Sequence, residues 1–139
     1  MPRLRHILFL LVLIEVSGCS SEIGYELFNN SGASLTINNC EGDQFIAAGE
    51  RGVIYGCRDP GPAFLSNERK WTYTNLPSYF AESDYVAETR LGSGKQIKLQ
   101  LEPSGLIMVV KTGDEPPVRT DYTQPPGFPI RPDSQELLR

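Results

Sequence analysis

The sequence predicts an all-β protein: a small antiparallel sandwich or partly open barrel of about seven short strands, with a proline-rich C-terminal tail. Three observations carry this expectation. Apolar and polar residues alternate with period two in several short segments, most plainly at 96–102. Clusters of Gly, Pro, Asn and Asp interrupt those segments roughly every 8–12 residues, the spacing of turns in an all-β domain. No stretch repeats its apolar residues at the 3.6-residue period of a surface helix.

Taken in order, Ser20 to Gly24 is a short tether, and Tyr25-Glu26-Leu27-Phe28 is strand-like. Asn29-Asn30-Ser31-Gly32 supplies turn chemistry before Leu35-Thr36-Ile37-Asn38 resumes the alternation. Gly42-Asp43 and Gly49-Glu50 bracket a short run from Gln44 to Ala47, and Val53-Ile54-Tyr55 leads to Cys57. Asp59-Pro60-Gly61-Pro62 is a strong breaker. An aromatic segment follows, with Phe64, Trp71, Tyr73, Tyr79, Phe80 and Tyr85; Trp71 and Tyr73 fall on one face of a strand. Ile97, Leu99 and Leu101 then point to one side and Gln96, Lys98, Gln100 and Glu102 to the other, as in a half-exposed strand. Glu102-Pro103-Ser104-Gly105 reads as a type I turn. Its partner Leu106-Ile107-Met108-Val109-Val110 is apolar on both faces, which predicts a central strand.

From Glu115 the composition changes. Pro116, Pro117, Pro125, Pro126, Pro129 and Pro132 favour extended backbone without ladder hydrogen bonds, and Phe128 and Ile130 sit among them as two apolar pegs. Residues 133–139 suit a frayed helical turn or disorder. The tail either packs along the sandwich or serves as a docking peptide.

The first nineteen residues have their own logic. Arg3, Arg5 and His6 precede the uninterrupted apolar run Ile7 to Ile14, which is too short for a bilayer core that needs ~20 residues. Glu15 follows, then Val16-Ser17-Gly18-Cys19. These four residues resemble the bacterial lipobox: an aliphatic residue, a small one, Gly or Ala, then Cys. Small side chains let the segment lie extended in a signal peptidase, and the thiol is the nucleophile that takes the lipid. The resemblance implies a signal peptide over 1–18 and Cys19 as the acylated first residue of the mature chain, with membrane lipid as its partner. Ser20 after that Cys is similar to the pattern of outer-membrane sorting, implying a lipid-anchored envelope protein facing the periplasm. The organisation is then signal 1–18, tether 19–24, β domain 25–114 and tail 115–139.

With Cys19 assigned to lipid, Cys40 and Cys57 remain as a pair in an oxidising compartment. A disulfide between them closes a loop of about 16 residues and stabilises by ~3 kcal/mol in the chain-entropy treatment. Such a staple suits a body of about 90 residues. Losing Arg3, Arg5 and Glu15 with the signal takes the net charge from −4 to −5. A mildly acidic chain without a basic stripe argues against nucleic acid as a partner.

The only histidine, His6, lies in the signal. The mature chain therefore lacks the parts for a Ser-His-Asp triad, a Cys-His pair or a histidine-based metal site, and no catalytic residue, cofactor or metal is expected. Glu82 and Asp84 beside aromatic residues give the outline of a glycosidase pair, although a solvated acidic loop is the commoner meaning. Glu41 and Asp43 lack the spacing of a calcium loop. Gly92-Ser93-Gly94-Lys95 falls short of a phosphate loop, and Asn29-Asn30-Ser31 fits a turn better than a glycosylation site. Trp71, Tyr73, Tyr79, Phe128 and Ile130 are the candidate partner-binding residues, with core burial as the alternative for the aromatic ones. The expected function is a non-enzymatic binding or accessory module acting on a periplasmic protein or glycan, an inhibitor or immunity type among them. The alternatives are a carboxylate-dependent glycan-acting enzyme or a passive assembly accessory of an envelope machine.

Overall fold

The computed structural model describes residues 23–39, 42–55, 61–74, 76, 83–88 and 94–139. Within them the protein is all-β. Its ten strands are β1 (Ile23–Asn29), β2 (Leu35–Asn39), β3 (Gly42–Ile46), β4 (Arg51–Tyr55), β5 (Ala63–Leu65), β6 (Arg69–Thr72), β7 (Val86–Glu88), β8 (Lys95–Leu101), β9 (Ile107–Val110) and β10 (Ser134–Leu137). A single 3₁₀ turn, Ser83–Tyr85, precedes β7. All seven strand-like segments of the sequence are strands. The three additional ones, β5, β7 and β10, are three or four residues long, too short to show a period.

The strands form two sheets of five. The first runs β4-β1-β8, and the far edge of β8 is shared by β7 and β9. The second runs β10-β6-β5-β2-β3. The architecture is a small sandwich of two mostly antiparallel sheets, with no closed barrel. One pairing departs from the antiparallel expectation. β1 and β8 run parallel over seven residue pairs, from Ile23↔Lys95 to Asn29↔Leu101. Because β1 and β2 belong to different sheets, the Asn29–Gly32 turn carries the chain between sheets.

Alternation along each strand builds the core. In the first sheet Ile54, Tyr25 and Ile97 are cross-strand neighbours, and Leu27, Leu99 and Val109 form the next row. The second sheet answers with Trp71, Phe64 and Ile37 in one row. All are buried, each contributing ~1.5–3 kcal/mol by removal from water. Tyr73 lies tilted against Phe64 at 5.0 Å between ring centroids.

β8 and β9 exchange the roles their patterns suggested. β8, expected to be half-exposed, is the centre of its sheet, and its polar residue Gln100 is fully buried. β9 is buried along its whole length, as its composition requires, yet β8 is its only partner strand in the sheet. What covers its other edge is the proline-rich segment.

That segment is a strap. Glu115 bonds Lys98 at 2.6 Å and Arg51 at 2.7 Å, and these cations hold its carboxyl below the ordinary carboxylate range. The Gln100 side chain donates to the Val118 carbonyl (2.9 Å) and accepts from the Val118 N–H (2.7 Å). This pins the strap over the outer face of the first sheet, where Phe28, Gln100 and Met108 form a buried row. Gln124 repeats the device on β9, accepting from Val109 N–H (2.8 Å) and donating to Val109 C=O (3.0 Å). Ile130 and Ile107 then exchange backbone hydrogen bonds of 2.8 and 2.9 Å. Phe128 and Ile130 pack on the core. The chain finally crosses to the second sheet, where β10 pairs with β6. Residues 134–137 are thus a strand, and the expectation of a helical turn or disorder at 133–139 is corrected. β6 offered an unpaired edge, and backbone hydrogen bonding there satisfies four residues with no apolar alternation of their own.

Candidate functional site

Two of the candidate partner-binding residues prove to be core. Trp71 is 2 % and Tyr73 1 % exposed, so both rings are packed into the core. The Tyr73 hydroxyl donates to the Gly105 carbonyl at 2.5 Å, and burial pushes its pKa far up. Trp71 Nε1 is buried with no hydrogen-bond partner among the described residues. Phe128 and Ile130, packed against the core, hold the strap down and are not free pegs. Tyr79, Cys19, Cys40, Cys57, Glu41 and Glu82 lie outside the described residues. Asp84 is exposed, and its carbonyl accepts from Thr112 N–H and Oγ1–H, both at 2.8 Å.

Asn29 belongs to the framework. Its side-chain amide donates to the carbonyls of Ala33 (2.8 Å), Ile46 (3.1 Å) and Ala47 (3.2 Å), while its oxygen accepts from Ser31 N–H and Oγ–H. A fully buried amide with these partners has no room for a glycan, which decides the Asn29-Asn30-Ser31 triplet in favour of a turn.

The folded strap creates a site that none of these residues announced. Between it and the end of β9 lies a cleft of about 510 Å³, lined by Glu102, Pro103, Ser104, Leu106, Met108, Thr120, Asp121, Tyr122, Gln124 and Pro129. The Glu102–Gly105 turn makes one wall. Gly105 N–H donates to the Glu102 carbonyl (2.9 Å), and Gly105 takes φ +83°, so the turn closes as the sequence predicts. Alternation along β9 turns Met108 outward into the floor. Thr120, Asp121, Tyr122 and Gln124 make the opposite wall, and the last three side chains are tied. Gln124 is clamped to Val109. The Tyr122 hydroxyl donates to Asp114 Oδ2 (2.5 Å) and accepts from Lys111 N–H (3.1 Å). Burial first, then the Asp114 carboxylate, pushes Tyr122 up to about 12, so the phenol stays neutral. Asp121 is bonded by Arg119 at 3.1 and 3.3 Å.

Glu102 is the unusual member. It is 5 % exposed. Its carboxylate accepts from the Asn30 amide at 3.2 and 3.3 Å and from the Gln100 amide. Among the described residues it has no ion pair, and neither Lys nor Arg lines the cleft. The lining is therefore an apolar floor beneath acceptor groups, which suits recognition of a hydrogen-bond donor.

A smaller cleft of about 350 Å³ lies across Pro103, lined by Ser31, Ser66, Asn67, Glu68, Arg69 and Trp71 among others. Arg69 donates to the carbonyl of Pro103, which lines both clefts, at 3.3 Å. The described residues contain no group of three or more His, Cys, Asp or Glu side chains able to hold a metal.

Sequence reasoning missed Glu102 and Gln100 because both read as solvent-facing, and it singled out nothing at Gln124, a lone polar residue in the proline-rich tail. One signal pointed the right way: a strand apolar on both faces next to a proline-rich segment implies that the segment is its cover. No protein family, curated protein or solved structure matches this chain.

Proposed function

We propose that this chain is a lipid-anchored binding module of the bacterial cell envelope, held through Cys19 and acting without catalysis on a protein or glycan partner in the periplasm. The observation that carries the reading is Val16-Ser17-Gly18-Cys19 behind the apolar run Ile7–Ile14. An acylated amino-terminal Cys holds a membrane through several chains, each contributing ~0.8 kcal/mol per buried CH₂. Ser20 favours the outer membrane. The loss of His6 with the signal, and a cleft with an apolar floor beneath acceptor groups, favour recognition over chemistry. An inhibitor or immunity role is a narrower form of the same proposal.

A Cys40–Cys57 disulfide belongs to the proposal. The chain reverses between β3 and β4, so that Gly52 packs against Ile46 and Gln44. Gly42 opens β3 and Tyr55 closes β4, and the two cysteines stand two residues beyond them along the chain.

Metabolic labelling with palmitate and membrane fractionation test the anchor. Wild type should carry label in the outer-membrane fraction, and Cys19→Ala should carry none; label on that variant, or an unlabelled wild type, overturns it. Peptide mapping without reductant should return Cys40 and Cys57 in one linked species. Crosslinking in intact cells followed by pull-down should recover a partner, and recovery of the monomer alone counts against the binding role.

A further inference from the structure

We propose that the cleft between the strap and β9 binds a lysine or arginine side chain of a protein partner, its aliphatic stem on Met108, Leu106 and Pro129 and its cation at Glu102 and Asp121. This deepens the binding-module reading by naming the chemistry of the recognised group.

Glu102 is the first reason. A carboxylate removed from water is costly unless a cation or several donors compensate it. Here two neutral amides, from Asn30 and Gln100, are the donors, and among the described residues no cation accompanies them. Asn30 and Gln100 hold the group in place, and Gln100 is itself held by Val118. The acceptor is thus pre-oriented before any ligand arrives, which lowers the cost of binding.

The floor is the second reason. Met108 is 3 % exposed and adaptable, and Leu106 and Pro129 extend the apolar surface beside it. A basic side chain matches this arrangement because its methylene stem covers apolar area while its charged head reaches polar groups. Asp121 stands on the opposite wall with its Arg119 partner largely in solvent, the two side chains 71 % and 87 % exposed. Such a surface pair is weak and readily exchanged.

Size and charge choose the source. A volume of about 510 Å³ lies in the range of sites for ligands far larger than one free amine. The exposed rim residues Pro103, Ser104, Thr120 and Asp121 leave room for the chain flanking an anchor residue. The net charge of −5 without the signal steers a basic partner towards the protein.

Met108 makes the test direct, since the chain has only one other methionine, Met1. The processed full chain, labelled with ¹³C in its methionine methyl group, is titrated with Nα-acetyl-lysine methylamide, with the norleucine analogue of equal stem and no charge, and with n-pentylamine. The lysine probe should shift the Met108 methyl resonance saturably, the norleucine probe at least tenfold more weakly, and n-pentylamine more weakly than the lysine probe. Glu102→Gln, which keeps the side-chain shape, should weaken the lysine probe about tenfold, and Asp121→Asn about threefold. Asp121→Asn alters an exposed side chain and keeps the test intact if the Glu102 variant does not fold. No shift at Met108, equal response to norleucine, or lysine binding unchanged in Asp121→Asn overturns the cation site. Tighter binding of n-pentylamine overturns the protein source. A persistent Met108 response with no partner captured in cells removes the envelope-partner role and leaves the site standing.

Discussion

Gly105 shows how one residue serves both the fold and the cleft. It sits at φ +83°, where a side chain is strained, and a Cβ there would run into the indole of Trp71. Its carbonyl also accepts from Tyr73. Gly105→Ala should therefore cost about 2 kcal/mol or more, read by urea unfolding with Trp71, the only tryptophan, as the fluorophore. Loss below about 0.5 kcal/mol would mean that turn and indole do not meet as described. The Glu102-Pro103-Ser104-Gly105 turn was legible in the sequence because its chemistry is local. The contact with Trp71 was not, since 34 positions separate the two residues along the chain.

Tyr25 carries a pH dependence. Burial pushes its phenol up to about 12 from an ordinary 10.0. Between those values the unfolded chain loses the proton and the folded chain keeps it, so stability is complete below pH 10 and falls as pH rises towards 12. Two units correspond to an upper bound of about 3 kcal/mol. Chemical unfolding at pH 8, 10 and 11 should show the decline, and Tyr25→Phe should make it shallower. An identical slope in the variant would assign the effect elsewhere, to Tyr73 first.

Among the elements, β9 and the strap depend on each other. A strand buried on both faces needs its backbone groups satisfied along both edges. Among the described residues no further strand covers the outer edge; Gln124 does so through its amide, and Ile130 through a single bridge. Gln124→Ala leaves the Val109 N–H and C=O unpaired and should cost about 1–3 kcal/mol. Hydrogen exchange at the Val109 amide should accelerate by at least tenfold relative to Leu99. Protection equal to wild type would show that another group covers that edge. The pattern at 106–110 revealed that both faces would be buried. The neighbouring proline-rich segment was the natural cover, but which of its residues would meet β9 was not legible, because polyproline-like backbone carries no period that marks its target. In the same way, Gln100 and Glu102 looked like the solvent side of β8. The strap roofs that side and turns two surface positions into buried acceptors.

For the whole molecule, the strap joins the two sheets. It starts on the ion pairs of Glu115 with Lys98 and Arg51, crosses the outer face of the first sheet, and ends as β10 on the second. Ending the chain at Asp114 would bare Phe28, Gln100 and Met108 and remove β10 from β6. That truncation should lower the urea midpoint steeply and promote association through the exposed row. A soluble, monomeric product with wild-type stability would mark the strap as dispensable and return it to the role of a docking peptide. The cleft would vanish with the strap in either case, since Thr120 to Gln124 form its wall.

The sequence by itself determined the all-β class, seven of the ten strands, the turn at 102–105 and the N-terminal lipobox-like segment. Each is written locally, in alternation, turn chemistry or a contiguous motif. Tertiary structure alone decided the parallel pairing of β1 with β8, the burial of Gln100 and Glu102, the path of the strap and therefore the cleft. These depend on which distant surfaces meet, and apolar burial rewards contact without naming a partner. A glutamine that mimics a strand is read from the sequence as any polar residue. Only the backbone brought beside it gives its amide a task.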